Sequence, residues 1–200
     1  MSAHRNSYRY EDYERDLLSL LDRLRLDRVA VAGHSLGGYV ALLAATRSDR
    51  IDRIVAIDVK SDWTEADAAA AARAEPAVQR AEPERETLVA RLVRGLAPAV
   101  LGEDEVETLA ERSIEPVDGS WRFRWDRRVL ATEPVEPFAF LARVRCPVAV
   151  VAGSDSDVMP PESAQRFGDA IPEATVEVVE GAGHHVELDA PELLARRIIE

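Results

Sequence analysis

The stretch Gly33-His34-Ser35-Leu36-Gly37-Gly38 decides how this sequence folds. It follows a short apolar run at residues 29–32 and leads into a helix-compatible run at residues 39–45. A strand, a G-x-S-x-G sequence and a helix in this order form the nucleophile-elbow pattern, in which the serine occupies a very tight turn. We expect the serine backbone to be strained, and Gly33 and Gly37 to remove Cβ atoms that would clash there.

Composition limits the classes of protein that this chain can be. Its 200 residues suit one domain, or one domain with an insertion. A net charge of −12 argues against nucleic acid and anionic membranes as partners. The single cysteine, Cys146, excludes an internal disulfide and a multi-cysteine metal site. Without a long apolar run or an apolar segment near Met1, we predict a cytoplasmic protein. We also predict that it has no cofactor and no bound metal.

Apolar runs alternate with helical patterns along much of the chain. The spacing predicts a helix over 10–25, and strands are predicted at 29–32, 54–57, 147–152 and 175–179. Further helices are predicted over 161–170 and from residue 191 onward. Short, fully apolar strands between helices indicate a mainly parallel sheet with helices on both faces, which is an α/β fold.

The middle of the chain has a different character. Between residues 61 and 141, strand-like runs are scarce and helical stretches predominate, at 65–73, 83–95 and 103–112. We therefore divide the chain into a first core part (1–60), a helical lid (61–141) and a second core part (142–200). Insertions of this kind act as lids over sites at the carboxyl ends of strands.

Polar side chains follow several of the predicted strands. Ser35 follows the first strand, aspartates follow the third, and His184 follows the fourth. Because the carboxyl ends of parallel strands share one edge of the sheet, these residues converge there. Asp58 also ends a strand, and we assign it a structural role at the lid hinge. His185 is the fallback for His184.

The elbow sequence Gly33-His34-Ser35-Leu36-Gly37-Gly38 resembles that of the α/β-hydrolase superfamily, in the lidded branch that includes serine esterases and carbon–carbon bond hydrolases. The resemblance also rests on Cys146-Pro147 before the third strand and on Gly181-Ala182-Gly183-His184. It implies that Ser35 is the nucleophile, that His184 is its base, and that the Leu36 amide contributes to an oxyanion hole. Family loops place the acid three or four residues past the glycine after the strand, at Ser156 or Asp157; we choose Asp157, with Asp155 as the alternative.

The chain departs from that family before the elbow. Only 34 residues precede Ser35, whereas the family places four strands there. The first strands and the loop that supplies a second oxyanion amide are missing, so we describe the fold as a partial α/β-hydrolase. We expect the elbow strand to form an exposed edge, open to pairing in a homo-oligomer. The Leu36 amide would then be the remaining oxyanion donor.

The function that this resemblance implies is serine hydrolysis of a carboxylic ester or similar carbonyl compound through an acyl-enzyme. The expected partner is a small acyl substrate. Two alternatives remain open. One is a carbon–carbon hydrolase or acyltransferase that uses the same three residues. The other is a truncated, non-catalytic remnant with a binding or oligomeric role.

Overall fold

A computed structural model describes residues 8–74, 81–96, 99, 101–126, 129 and 136–199. The chain forms two compact units, of which the larger contains Arg9–Trp63 and Pro134–Glu200 and the smaller is built on Thr64–Glu133. All the residues of the candidate site described below belong to the larger unit. None of the described helices is both long and apolar enough to span a bilayer.

The elements follow one another along the chain in an alternating order. The helices are α1 (Tyr10–Leu24), α2 (Leu36–Ala45), α3 (Glu65–Ala74), α4 (Arg85–Leu96), α5 (Glu103–Ser113), α6 (Phe138–Leu141), α7 (Pro161–Asp169), α8 (Val186–Asp189) and α9 (Pro191–Ile199). The strands are β1 (Val29–His34), β2 (Ile51–Ile57), β3 (Ile114–Val117), β4 (Ser120–Phe123), β5 (Val148–Gly153) and β6 (Ala174–Val179).

The larger unit is organised around a parallel sheet. Its strand order is β1-β2-β5-β6, and each neighbouring pair runs parallel. Alternate residues of β2 point to opposite faces, so that Ile54 packs in one apolar core and Val55 in another. The first core contains α2 and α7, and the second contains Leu194 of α9. Helices therefore cover both faces, and the predicted α/β fold is confirmed.

Strand β1 lies at an edge of the sheet formed by the described strands. It pairs with β2 alone, and Ala30 and Ala32 are exposed. The position of β1 agrees with the expected edge, and pairing between copies through it stays a prediction.

The smaller unit contains a β-hairpin as well as the predicted helices. Strands β3 and β4 pair antiparallel across Asp118 and Gly119, which both have positive φ angles, 45° and 75°. Two such residues in a two-residue loop are typical of a type I′ hairpin. Leu88, Ala110 and Ile114 form the small core of this unit. Its role as a lid stays a prediction.

Candidate active site

Ser35 forms the sharp turn between β1 and α2. Its φ of 51° and ψ of −118° are strained for a residue with a side chain. The backbone around it is held by several hydrogen bonds: the Ser35 amide donates to the Ile57 carbonyl at 2.8 Å, and the Ser35 carbonyl accepts from Gly38 and Tyr39. The surrounding structure thus holds the serine at the carboxyl edge of the sheet, as the elbow pattern predicts.

Two crowded glycines make this turn sterically feasible. They are Gly33 and Gly38, whereas the sequence predicted Gly33 and Gly37. A Cβ on Gly33 would lie 2.4 Å from the backbone of Gly37, as expected. A Cβ on Gly37 would meet nothing within 4 Å, because this first-turn position of α2 is exposed. The second crowded glycine is Gly38, where a Cβ would lie 2.5 Å from Val59 Cγ2. The steric prediction is confirmed for Gly33 and wrong for Gly37.

The carboxylate that contacts His184 is Asp58. Its Oδ1 accepts a hydrogen bond of 2.7 Å from Nδ1 of His184. Asp58 is completely buried, and two further donors compensate its charge: the Ser156 hydroxyl at 2.6 Å and the Gly153 amide at 3.0 Å. With its proton on Nδ1, His184 retains an unprotonated Nε2, which is the nitrogen that can act as a base.

The choice of Asp157 as the partner of His184 is therefore wrong in this structure. Asp157 and Asp155 are both exposed, whereas Ser156 between them is buried. The loop after β5 thus directs a hydroxyl, and not a carboxylate, toward the histidine. The hinge role assigned to Asp58 is corrected in turn, because its side chain reaches His184 instead. The signal was available in the sequence: Asp58 directly follows the apolar run of residues 54–57, at the end of β2.

The loop that carries His184 packs tightly against the end of β5. A Cβ on Gly153 would lie 2.2 Å from the Ala182 carbonyl oxygen and 2.3 Å from that of Gly183. The Asp155 amide donates to the Ala182 carbonyl, and the Gly183 amide donates to Asp189. A glycine at position 153 thus lets this loop approach closely enough for His184 to meet Asp58.

A second group of titratable side chains surrounds His184. The Nε2–H of His34 donates to the His184 carbonyl oxygen at 2.8 Å, and the two rings lie 4.5 Å apart. Burial lowers the pKa of His34, although the nearby Glu187 carboxylate opposes this shift. His185, the fallback base, contacts Glu187 through Nδ1 at 3.0 Å, whereas His184 is the histidine bonded to Asp58. This hydrogen bond and the neighbouring imidazoles hold the pKa of Glu187 below its usual value, against the opposing effect of burial.

The sequence profile of the alpha/beta hydrolase family matches residues 2–197 of this chain. The chain belongs to the alpha/beta hydrolase family. The fold and the membership that the elbow sequence predicted are both confirmed.

Three similar proteins are each less than 30% identical to this chain and longer than it. Esterase YbfF of Escherichia coli (strain K12) is 28% identical over 197 residues, which cover 94% of this chain and 73% of the esterase. A putative carbamate hydrolase, RutD of Caulobacter sp. (strain K31), is 28% identical over 188 residues, covering 88% of this chain and 66% of RutD. The crystal structure of E-2-(acetamidomethylene)succinate hydrolase superposes with a TM-score of 0.81 at 25% identity, covering 98% of this chain and 75% of that one.

A backbone amide at the start of a helix directly follows Ser35. Leu36 is the first residue of α2. The first amides of a helix have no acceptor within the helix, and the helix dipole favours negative charge beside them. The Leu36 amide is thus suited to face an oxyanion that forms next to Ser35.

Proposed function

We propose that this chain hydrolyses a carboxylic ester or a similar carbonyl compound through an acyl-enzyme on Ser35. The observation that carries the proposal is the His184–Asp58 pair beside a strained serine. His34, the residue before Ser35, touches His184 directly, so the nucleophile and the base come from adjoining segments. The esterase and the putative carbamate hydrolase among the relatives support a carbonyl substrate.

The proposed reaction follows from the atoms at the site. Ser35 Oγ attacks the carbonyl carbon while Nε2 of His184 takes the hydroxyl proton. Asp58 keeps the proton of His184 on Nδ1 and stabilises the imidazolium that forms. The Leu36 amide donates to the developing oxyanion. His184 then returns its proton to the leaving group, and a water activated by the same nitrogen releases the acid.

Asp58 suits this role because it is held rigidly and shielded from water. Three donors from two segments, the end of β5 with the turn after it and the loop after β6, fix its two oxygens, and its backbone amide donates to the Val151 carbonyl at 2.8 Å. A fully desolvated carboxylate interacts more strongly with an imidazolium than an exposed one does.

The hydrogen bonds of the described residues do not include one from Ser35 Oγ to His184. Such contacts often tighten only when substrate binds.

A fluorophosphonate probe tests this proposal directly. We expect covalent labelling of one residue per chain, because the probe reports a serine that is activated by a base. Peptide mapping should place the label on Ser35, and Ser35→Ala should abolish it. Ser19→Ala, which alters an exposed serine of α1, is the matched control and should label like the unmodified chain. A folded chain that stays unlabelled, or a label that persists in Ser35→Ala, would refute the proposal.

The acid can also be moved to a neighbouring position. Ser156 Oγ lies 2.6 Å from Asp58 Oδ1, so the exchange Asp58→Ser with Ser156→Asp preserves the two groups and swaps their places. We expect ester turnover at least tenfold above that of Asp58→Ser alone, because a carboxylate again lies within reach of Nδ1. Steady-state kinetics on an activated ester measures the difference. Equal turnover of the single and double variants would contradict the prediction.

A further inference from the structure

Three side chains with metal-binding atoms meet beside His184 and have no role in the proposed reaction. They are His34, His185 and Glu187, and one ligand atom from each lies within 4.8 Å of the others. We propose that these three residues bind a divalent transition metal of the Zn²⁺ class. The two histidines come from segments about 150 residues apart in the chain, and both are half-buried.

The hydrogen bond made by His34 prepares it as a ligand. A carbonyl oxygen can only accept, so the bond of 2.8 Å to the His184 carbonyl fixes the proton of His34 on Nε2. The lone pair of His34 is therefore on Nδ1, which lies 3.7 Å from Glu187 Oε1. Metal-binding histidines characteristically donate their other ring N–H to a carbonyl or carboxylate in this way.

Glu187 provides a second, independent indication of a cation. Its Oε1 contacts His185, but its Oε2 is buried and has no hydrogen-bond partner among the described residues. A buried carboxylate oxygen without a partner is costly, and a cation held by both oxygens of Glu187 would compensate it. Glu187 follows His185 by two residues at the start of α8, so both ligands are carried by the same short segment.

The spacing of the three groups suits tetrahedral coordination. Zn²⁺ binds imidazole nitrogens at about 2.0–2.1 Å, so two ligands of a tetrahedron lie about 3.4 Å apart. Glu187 Oε1 lies 3.0 Å from His185 Nδ1 and 3.7 Å from His34 Nδ1, which bracket this separation. Binding would displace the proton that His185 shares with Glu187 into solvent. Three protein ligands leave a fourth position for water.

A cation at this site would act on the proposed base. The His34 and His185 rings lie 4.5 and 5.1 Å from the His184 ring. His34 directly precedes Ser35 and bonds to the His184 carbonyl, so drawing His34 and His185 around a metal would move both residues of the proposed reaction. The metal would therefore inhibit turnover. This consequence rests on the proposed function, whereas binding does not.

Calorimetric titration of the full chain with ZnCl₂ tests the site. We expect one equivalent to bind to the unmodified chain, and Glu187→Gln to weaken binding at least tenfold. Glu180→Gln removes an exposed carboxylate at the nearby strand end and is the matched control, with unchanged affinity expected. If Glu187→Gln fails to fold by circular dichroism, His185→Gln takes its place. Absence of binding, or equal binding by both glutamate variants, would overturn the proposal.

Ester turnover with and without Zn²⁺ separates this inference from the proposed function. Inhibition of the unmodified chain, reversal by a chelator and loss of inhibition in Glu187→Gln would support both. Stoichiometric binding to a chain that shows no labelling of Ser35 would support the metal site and refute the hydrolase mechanism. Labelling of Ser35 and ester turnover without any calorimetric binding of Zn²⁺ would support the hydrolase mechanism and refute the metal site.

Discussion

Asp58→Asn should reduce ester turnover by about 10³–10⁴-fold, whereas Asp157→Asn should leave it within about twofold. The asparagine preserves the shape of the side chain but no longer holds the proton of His184 on Nδ1. Nε2 then loses its role as a base in much of the population. Asp157 is exposed and Nδ1 of His184 is already bonded to Asp58, so removing the Asp157 charge changes little at the site. Steady-state kinetics on the same activated ester compares the two variants.

Stability measurements are the necessary control for Asp58→Asn. Asp58 accepts from three donors, and an asparagine would turn its amide nitrogen toward at least one of them. We expect a loss of about 1–3 kcal/mol in the free energy of unfolding, which denaturant titration measures. Turnover is therefore compared where both variants remain folded. A large loss of turnover in Asp157→Asn, with Asp58→Asn active, would reinstate the acid that the sequence pattern favoured.

The sequence favoured Asp157 as the partner of His184, whereas the structure has Asp58 in that place. This difference shows what the spacing of residues determines and what it does not. Strand order and the apolar runs are sufficient to place Ser35, His184 and several aspartates at one edge of the sheet. They do not determine which side chain of a turn points inward. In the loop after β5 the side chain that points inward is Ser156, which is buried, and not Asp157, the next residue, which is exposed.

Other features cannot be predicted from the sequence because they depend on contacts between distant segments. The group of His34, His185 and Glu187 forms only when the elbow packs against the loop after β6. The hairpin of β3 and β4 was missed for a different reason, because its strands are only four residues long. The adjacent Asp118 and Gly119 are a turn signal that could have indicated it.

Gly33→Ala should lower the free energy of unfolding by about 3 kcal/mol or more, while Gly37→Ala should change it by no more than about 0.5 kcal/mol. The added methyl at position 33 would lie 2.4 Å from backbone atoms of Gly37 and 2.5 Å from the amide nitrogen of Gly38. Backbone cannot rotate away as a flexible side chain can, so β1 and α2 must separate. At about 2–4 °C per kcal/mol, the melting temperature should fall by roughly 6–12 °C.

The comparison of these two glycines is informative because they flank the same serine in the same motif. Position 37 is exposed at the start of α2, where an alanine meets nothing within 4 Å and favours the helix. Thermal unfolding of both variants should therefore distinguish a glycine that the turn requires for steric reasons from one that only matches the G-x-S-x-G pattern. Separation of β1 from α2 would also displace Ser35 from His184, so Gly33→Ala should lose fluorophosphonate labelling even below its melting temperature. Equal melting temperatures for the two variants would show that the elbow tolerates a side chain at position 33.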